Sequence, residues 1–333
     1  MPQYGIAPLE IPINEGLKIV QEAEAAGFES AWASGPQGYV RLAAFAQATK
    51  SIKLGTAVVV QPLMNPIAHI ASMIDLQELS GGRCMFGIGS GVKPQLNRFF
   101  GIFGDQAEHP APRVQEFIEL IKHVMSLNGE PVVWEKKFFQ LRGSRGIVCN
   151  HSLPIYLAAV NKFSLKVAGR VADGLIGHPI NSMQHLNNSV LPLINEGLKE
   201  RSRERNEFNF SSDVITAIHK DKAIARRDAA KNLGFYLSPK AFDNIFDAGG
   251  WEKEKIEVRE AFRTGDLENV ADAISDEMLD SCCLYGTPQD VRDQVGRYDG
   301  ILDRVIFFSP RHGVEHEVNL KYYDSIIETF GNK

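Results

Sequence analysis

Apolar residues recur along this chain in two alternating rhythms. Short apolar runs, the length of strands, are followed by stretches in which apolar positions return every three or four residues. Tyr4 to Leu9 is the first run, bounded by Pro8 and Pro12. Ile13, Leu17 and Val20 then fall at helical spacing until Gly27 stops the helix. Ser30 to Ser34 predicts a second strand, and Val40 to Thr49 a helix with Leu42, Phe45 and Ala46 on one face. Lys53 to Val60 is unbroken and rich in β-branched residues, as expected of a strand covered on both sides. Pro62 and Pro66 precede a helix through Leu79, and Gly81-Gly82 turn the chain into a fourth strand, Cys84 to Ile88.

The rhythm then pauses. Val92 to Pro112 reads as a long loop, Arg113 to Leu127 as a helix and Pro131 to Leu141 as a hairpin. It resumes with a fifth strand at Leu153 to Ala159, a helix at 161–172, a sixth strand at Gly174 to Gly177 and a helix from Asn187 to Arg205. A seventh strand, Val214 to His219, leads into helices through about Met278. Thr287 caps the next helix, with Pro288 at its first position and Asp290 in its first turn. Arg304 to Phe308 is the eighth strand, and a final helix spans Glu315 to Phe330. Eight βα units predict a closed (β/α)8 barrel, with a doubly wound sheet of six or seven strands as the alternative. No linker divides the chain, so a single domain over 1–333 is expected, with insertions after strands 4 and 7 at about 92–150 and 236–285.

Composition narrows the function classes. The chain has 333 residues, 44% hydrophobic, with a net charge of -5, which argues against a nucleic-acid partner. It has no run of eighteen apolar residues, no signal-like start and no lipidation motif, so a soluble, cytoplasmic protein is expected. Cys84, Cys149, Cys282 and Cys283 lack metal spacing, and no metal is expected.

The most unusual stretch is Gly81 to Gly91. Gly87, Gly89 and Gly91 alternate at the end of the fourth strand, where glycine costs stability. Close approach to the backbone by a planar cofactor or a phosphate accounts for that, and so does a tightly packed strand with no ligand. A dinucleotide fingerprint fits poorly. The spacing is Gly-x-Gly-x-Gly, and Val92-Lys93-Pro94 does not read as a helix start.

Leu54-Gly55-Thr56-Ala57-Val58, Asn65-Pro66, Asp75-Leu76, Leu79-Ser80-Gly81-Gly82-Arg83, Gly87-Ile88-Gly89-Ser90-Gly91, Ala168 to Gly174 and Gly286-Thr287-Pro288 occur in that order. Together they resemble the bacterial luciferase-like superfamily. Ala158-Ala159-Val160-Asn161 and Gly177-His178-Pro179 resemble its methylenetetrahydromethanopterin-reductase-like branch, whose members use coenzyme F420 or, in other cases, FMN. The resemblance implies a TIM barrel with an isoalloxazine-type ring at the C-terminal mouth. It implies that Ala57-Val58 holds a non-proline cis peptide bulging against the ring. Gly89, Ser90 and Gly91 would contact the ring, and Ala158, Ala159, Val160 and Asn161 would hold a phosphate, where a helix start favours an anion. Asn161 alone fits a helix cap equally well.

His178 is the candidate catalytic residue, able to hydrogen-bond ring or substrate unless loop backbone satisfies it. Arg311 and His312 are substrate-binding candidates, and His69 reads as structural. Relatives often carry an acid-histidine pair after strand two; here Ala33-Ser34-Gly35-Pro36 has neither. The expected function is hydride transfer between F420 and a small organic substrate, with FMN-dependent monooxygenation or non-catalytic flavin binding as rivals. The resemblance also implies a homodimer.

Overall fold

The computed structural model describes residues 1–143 and 148–332. Residues 144–147, inside the first expected insertion, and Lys333 lie outside the described residues. The chain divides into two compact units. One comprises 1–32, 177–193 and 209–333; the other comprises 33–176 and 194–208.

The strands are β1 (Gln3–Ile6), β2 (Ser30–Ala33), β3 (Lys53–Val60), β4 (Cys84–Gly89), β5 (Val132–Glu135), β6 (Gln140–Gly143), β7 (Ile155–Ala158), β8 (Gly174–Gly177), β9 (Asn209–Ile218), β10 (Leu284–Gly286) and β11 (Arg304–Phe308). In the first unit the order is β10-β9-β11-β1-β2, all parallel. In the second it is β3-β4-β7-β8, also parallel, with β5 and β6 forming a separate antiparallel hairpin. The fold class is the parallel (β/α)8 barrel expected from the repeat.

In the first unit, side chains alternate between two faces of the sheet. Tyr4 and Phe307 turn outward onto Phe330 of the C-terminal helix, with ring centroids 5.1 and 4.3 Å away. The opposite face carries Arg304, 2% exposed, whose guanidinium meets Glu29 at 2.7 Å and Ser211 at 2.7 Å, over the Trp32 ring. A charge so deeply buried requires this full set of partners. In the second unit, Arg83 donates to the carbonyls of Ala46, Thr49, Ile52 and Ser80, tying two helix ends to one strand entry.

Several elements depart from the sequence expectation. Lys93–Phe99 is helical although its start looked unsuitable: Pro94 sits in the first turn, where its missing N–H has no partner to lose. β9 begins at Asn209, five residues earlier than expected. Its polar Asn209, Ser211 and Asp213 hid the strand because they occupy the interior face. β10 was not anticipated, being three residues long. The helix after β8 starts at Met183, passes through a π turn at Leu186–Val190 and ends at Lys199. The stretch after β9 is, as expected, a succession of helices, the longest being Lys222–Leu237 and Glu252–Arg263.

Candidate functional site

The second unit gathers the ends of β3, β4 and β7. β3 pairs regularly with β4 up to Thr56↔Phe86, then shifts register between Thr56 and Val59, so Ala57 and Val58 form a bulge. The Ala57–Val58 peptide is cis. A Cβ built on Gly87 would stand 2.0 Å from the Thr56 carbonyl oxygen, and one on Gly89 would stand 2.9 Å from Val58 Cγ2 and 4.0 Å from Ala158 Cβ. Gly91 has φ +75° and leaves room for Leu96. The expectation that something approaches these glycines is therefore met first by the protein itself. The β3 bulge fills the space their side chains would occupy. Val58, Gly89 and Ala158 are thereby adjacent, and Gly89 pairs with both Val60 and Ala158. Ser90 follows, half-buried, at the turn.

Beyond Ala158, the half-buried Val160 and the buried Ala159 lead into the helix Lys162–Val171. Asn161 caps it, accepting the Ser164 N–H at 3.0 Å. The same residue borders a cleft of about 360 Å³ with Phe163, Lys166 and Arg170. Both cations there are already paired, Lys166 with Glu196 and Arg170 with Glu200.

The first unit holds the other candidates. His178 follows β8, its ring 4.6 Å from Phe242 and edge-on to Tyr236 at 5.7 Å. Its Nδ1 is buried without a partner, so loop backbone does not satisfy it. Burial lowers its pKa to about 4 and keeps the ring neutral near pH 7. Arg311 and His312 follow β11, and Asn232 fixes both. Its Oδ1 accepts their N–H groups at 2.9 and 3.0 Å. The Arg311 guanidinium pairs with Glu10 at 3.2 Å, lies 5.7 Å from the Tyr236 ring centroid and leaves Nη1 without a partner. His312 stacks on Phe235 at 3.6 Å and accepts from Arg311 Nε at 3.2 Å; burial, with Arg311, lowers its pKa to about 4. Tyr236 thus touches His178, Phe308 and His312 together.

A model for luciferase-like monooxygenases matches residues 2–304. The chain belongs to that family. A 5,10-methylenetetrahydromethanopterin reductase of Archaeoglobus fulgidus is 28% identical over 288 residues, covering 83% of each chain. The solved coenzyme F420-dependent tetrahydromethanopterin reductase of Methanopyrus kandleri superposes with a TM-score of 0.82 at 22% identity, over 98% of both chains. The oxygenating constituent of 3,6-diketocamphane monooxygenase from Pseudomonas putida, in complex with FMN, superposes at 0.71 and 17% identity, over 100% of this chain and 97% of that one.

Most of the luciferase-like motif residues prove to be architectural. Arg83 is the carbonyl-binding hub described above. Asp173 accepts the Ile155 N–H at 2.8 Å, pinning the start of β7. Gly169 lets Ile194 O come within 2.3 Å of where a Cβ would lie. Thr287 and Asp290 form the expected capping box. His69 also fits its structural reading. It accepts from Tyr39 at Nδ1 (2.8 Å), its Nε2 meets the Gln61 carbonyl at 3.0 Å, and burial lowers its pKa. Sequence reasoning missed Tyr236, Phe242, Asn232 and Asp213. The first three lie among helices whose faces no short motif marks.

Proposed function

We propose that this protein is an oxidoreductase that transfers a hydride between coenzyme F420 and a small organic substrate. The observation that carries this is the meeting of the β3 bulge, the Gly89–Gly91 turn and the end of β7 in one patch of backbone and small side chains. Such a patch fits a flat ring, which needs area without protruding side chains. Ala57 and Val58 would back the ring, with Gly89, Ser90 and Gly91 along its edge. Ala158, Ala159, Val160 and Asn161 lead to a helix start whose unpaired N–H groups favour a phosphate. When bound, a deazaflavin supplies a hydride; the protein supplies position and a dry surface.

His178, whose buried Nδ1 has no partner, is the candidate catalytic residue, and Arg311 and His312, whose backbone N–H groups Asn232 holds, are the substrate-binding candidates. The relatives' names support F420 over FMN, while the FMN-bound neighbour supports a flavin monooxygenase as the second reading. A single domain over 1–333, acting as a cytoplasmic homodimer on a small molecule, completes the proposal. Among the described residues no helix is long and apolar enough to cross a membrane. Titration of the purified protein with F420 and with FMN tests it, read by cofactor fluorescence. Tight F420 binding with weak FMN binding is expected. Oxygen consumption driven by reduced FMN and a substrate would overturn it in favour of the second reading.

A further inference from the structure

Among the described residues, Asp213 and Arg311 of the first unit each keep a buried polar atom without the partner that burial normally demands. Asp213, on the interior face of β9, is 8% exposed, and its Oδ1 bonds to nothing. Arg311 lies in the turn after β11 with its side chain 17% exposed, and its Nη1 is likewise buried and free. A carboxyl group and a guanidinium within electrostatic reach normally close into an ion pair. Arg311 does act on Asp213 electrostatically, yet their free atoms do not bond.

The Arg311 side is pinned. Asn232 Oδ1 accepts the N–H groups of Arg311 and His312, and Asn319 Nδ2 donates to Ser309 Oγ and to the Pro310 carbonyl, both at 2.6 Å. On the guanidinium, Nη2 meets Glu10 at 3.2 Å and Nε donates to His312 Nε2 at 3.2 Å, which leaves Nη1 over. Aromatic rings stand beside the pair. Tyr236 has its ring centroid 5.7 Å from the guanidinium carbon and 6.2 Å from that of Phe308. Phe308 shares a face of β11 with Ile306, the register partner of Asp213. The other charged and titratable groups facing this pair are Glu10, His312 and Tyr323 of the C-terminal helix.

We propose that Asp213 and Arg311 together bind the carboxylate of a small aromatic acid, in a site built wholly within the first unit. Burial raises the Asp213 pKa to about 8, so at neutral pH its carboxyl keeps a proton and can donate it in a hydrogen bond. Two donors, one of them cationic, suit a group that only accepts and that brings a negative charge. Glu10 does not pre-empt the ligand, because its side chain is 68% exposed and an ion pair open to water is weak. Tyr236 and Phe308 give the body of the acid rings to lie against. That this acid is the substrate rests on the oxidoreductase reading above; that it binds does not.

Titration calorimetry of the full chain without cofactor tests the site, with benzoate as the probe and benzamide as its uncharged counterpart. At pH 7 benzoate should bind at least about tenfold more tightly than benzamide. Arg311→Gln or Arg311→Met, either folded variant sufficing, should remove that preference and leave benzamide binding unchanged. The wild-type Kd for benzoate should rise about tenfold per pH unit above about pH 8, because ionised Asp213 repels the ligand. In Asp213→Asn the amide still donates, so benzoate should still bind with that pH dependence gone. Benzoate no tighter than benzamide, a preference that survives the loss of Arg311, or a wild-type Kd flat from about pH 7 to 9 would each overturn the proposal. Fluorescence titration with F420 is a separate readout: no F420 binding would remove the oxidoreductase reading and leave the carboxylate site standing.

Discussion

Replacing Gly87 by alanine should be among the most damaging single-methyl additions to this protein. The new Cβ would lie 2.0 Å from the Thr56 carbonyl oxygen, 3.1 Å from its carbonyl carbon and 3.1 Å from Val58 Cγ1. Carbon and carbonyl oxygen on neighbouring strands normally sit about 3.3–3.6 Å apart, so β3 and β4 must separate locally by roughly 1 Å. The obstacle is backbone and cannot rotate away. Separation also strains the hydrogen bond from Thr56 Oγ1 to the Gly87 carbonyl, now 2.9 Å. Overpacking of this kind costs about 1–3 kcal/mol, and a weakened buried hydrogen bond about 1 more. Restricting the unfolded chain returns roughly 0.5–1 kcal/mol. The expected net loss is about 1–3.5 kcal/mol, read as a lower urea midpoint at unchanged slope. Gly296→Ala is the control, since nothing lies within 4 Å of its Cβ position, and it should be near neutral. A Gly87→Ala protein unfolding at the wild-type midpoint would refute the view that the β3 bulge presses on β4.

Gly89→Ala meets only the end of the Val58 side chain, at 2.9 Å, so it should cost about 1 kcal/mol, and adding Val58→Ala should recover most of that in a double-mutant cycle. Glu29→Ala leaves the Arg304 charge, 2% exposed, without its carboxylate and should cost about 3–5 kcal/mol in denaturant unfolding. For Asp213 the folded pKa, about 8, lies above the unfolded value of 3.8, so the native state binds more protons between them and wild-type stability falls as pH rises through that window. Urea midpoints of Asp213→Asn should therefore gain on the wild type from pH 4 to pH 8; a constant difference would contradict the raised pKa.

How far the sequence revealed all this differs by element. The strands covered on both sides, β3, β4 and β11, were legible because an unbroken apolar run of that length has few other uses. β9 was legible only in its apolar second half. The polar residues that hid its start are the interior ones, and they include the most unusual carboxyl in the chain. Glycine spacing at 87–91 signalled a close approach correctly but not its source, since the partner is Thr56 and Val58. Arg311 and His312 could be singled out by position after a strand. Their anchor Asn232, 0% exposed in the helix Lys222–Leu237, carries no local sign, because its contacts are some eighty residues away. Burial creates the perturbed groups, and burial of a lone polar residue cannot be read from its neighbours in the chain.

The central claim is that the ends of β3, β4 and β7 form the seat of a deazaflavin ring. A crystal structure of the protein soaked with oxidised F420 tests it most directly. Density for the tricyclic ring against Val58 and Gly89, with the phosphate near Ala158 to Asn161, is the predicted result. A ring bound elsewhere, or none while F420 remains in excess, would contradict it.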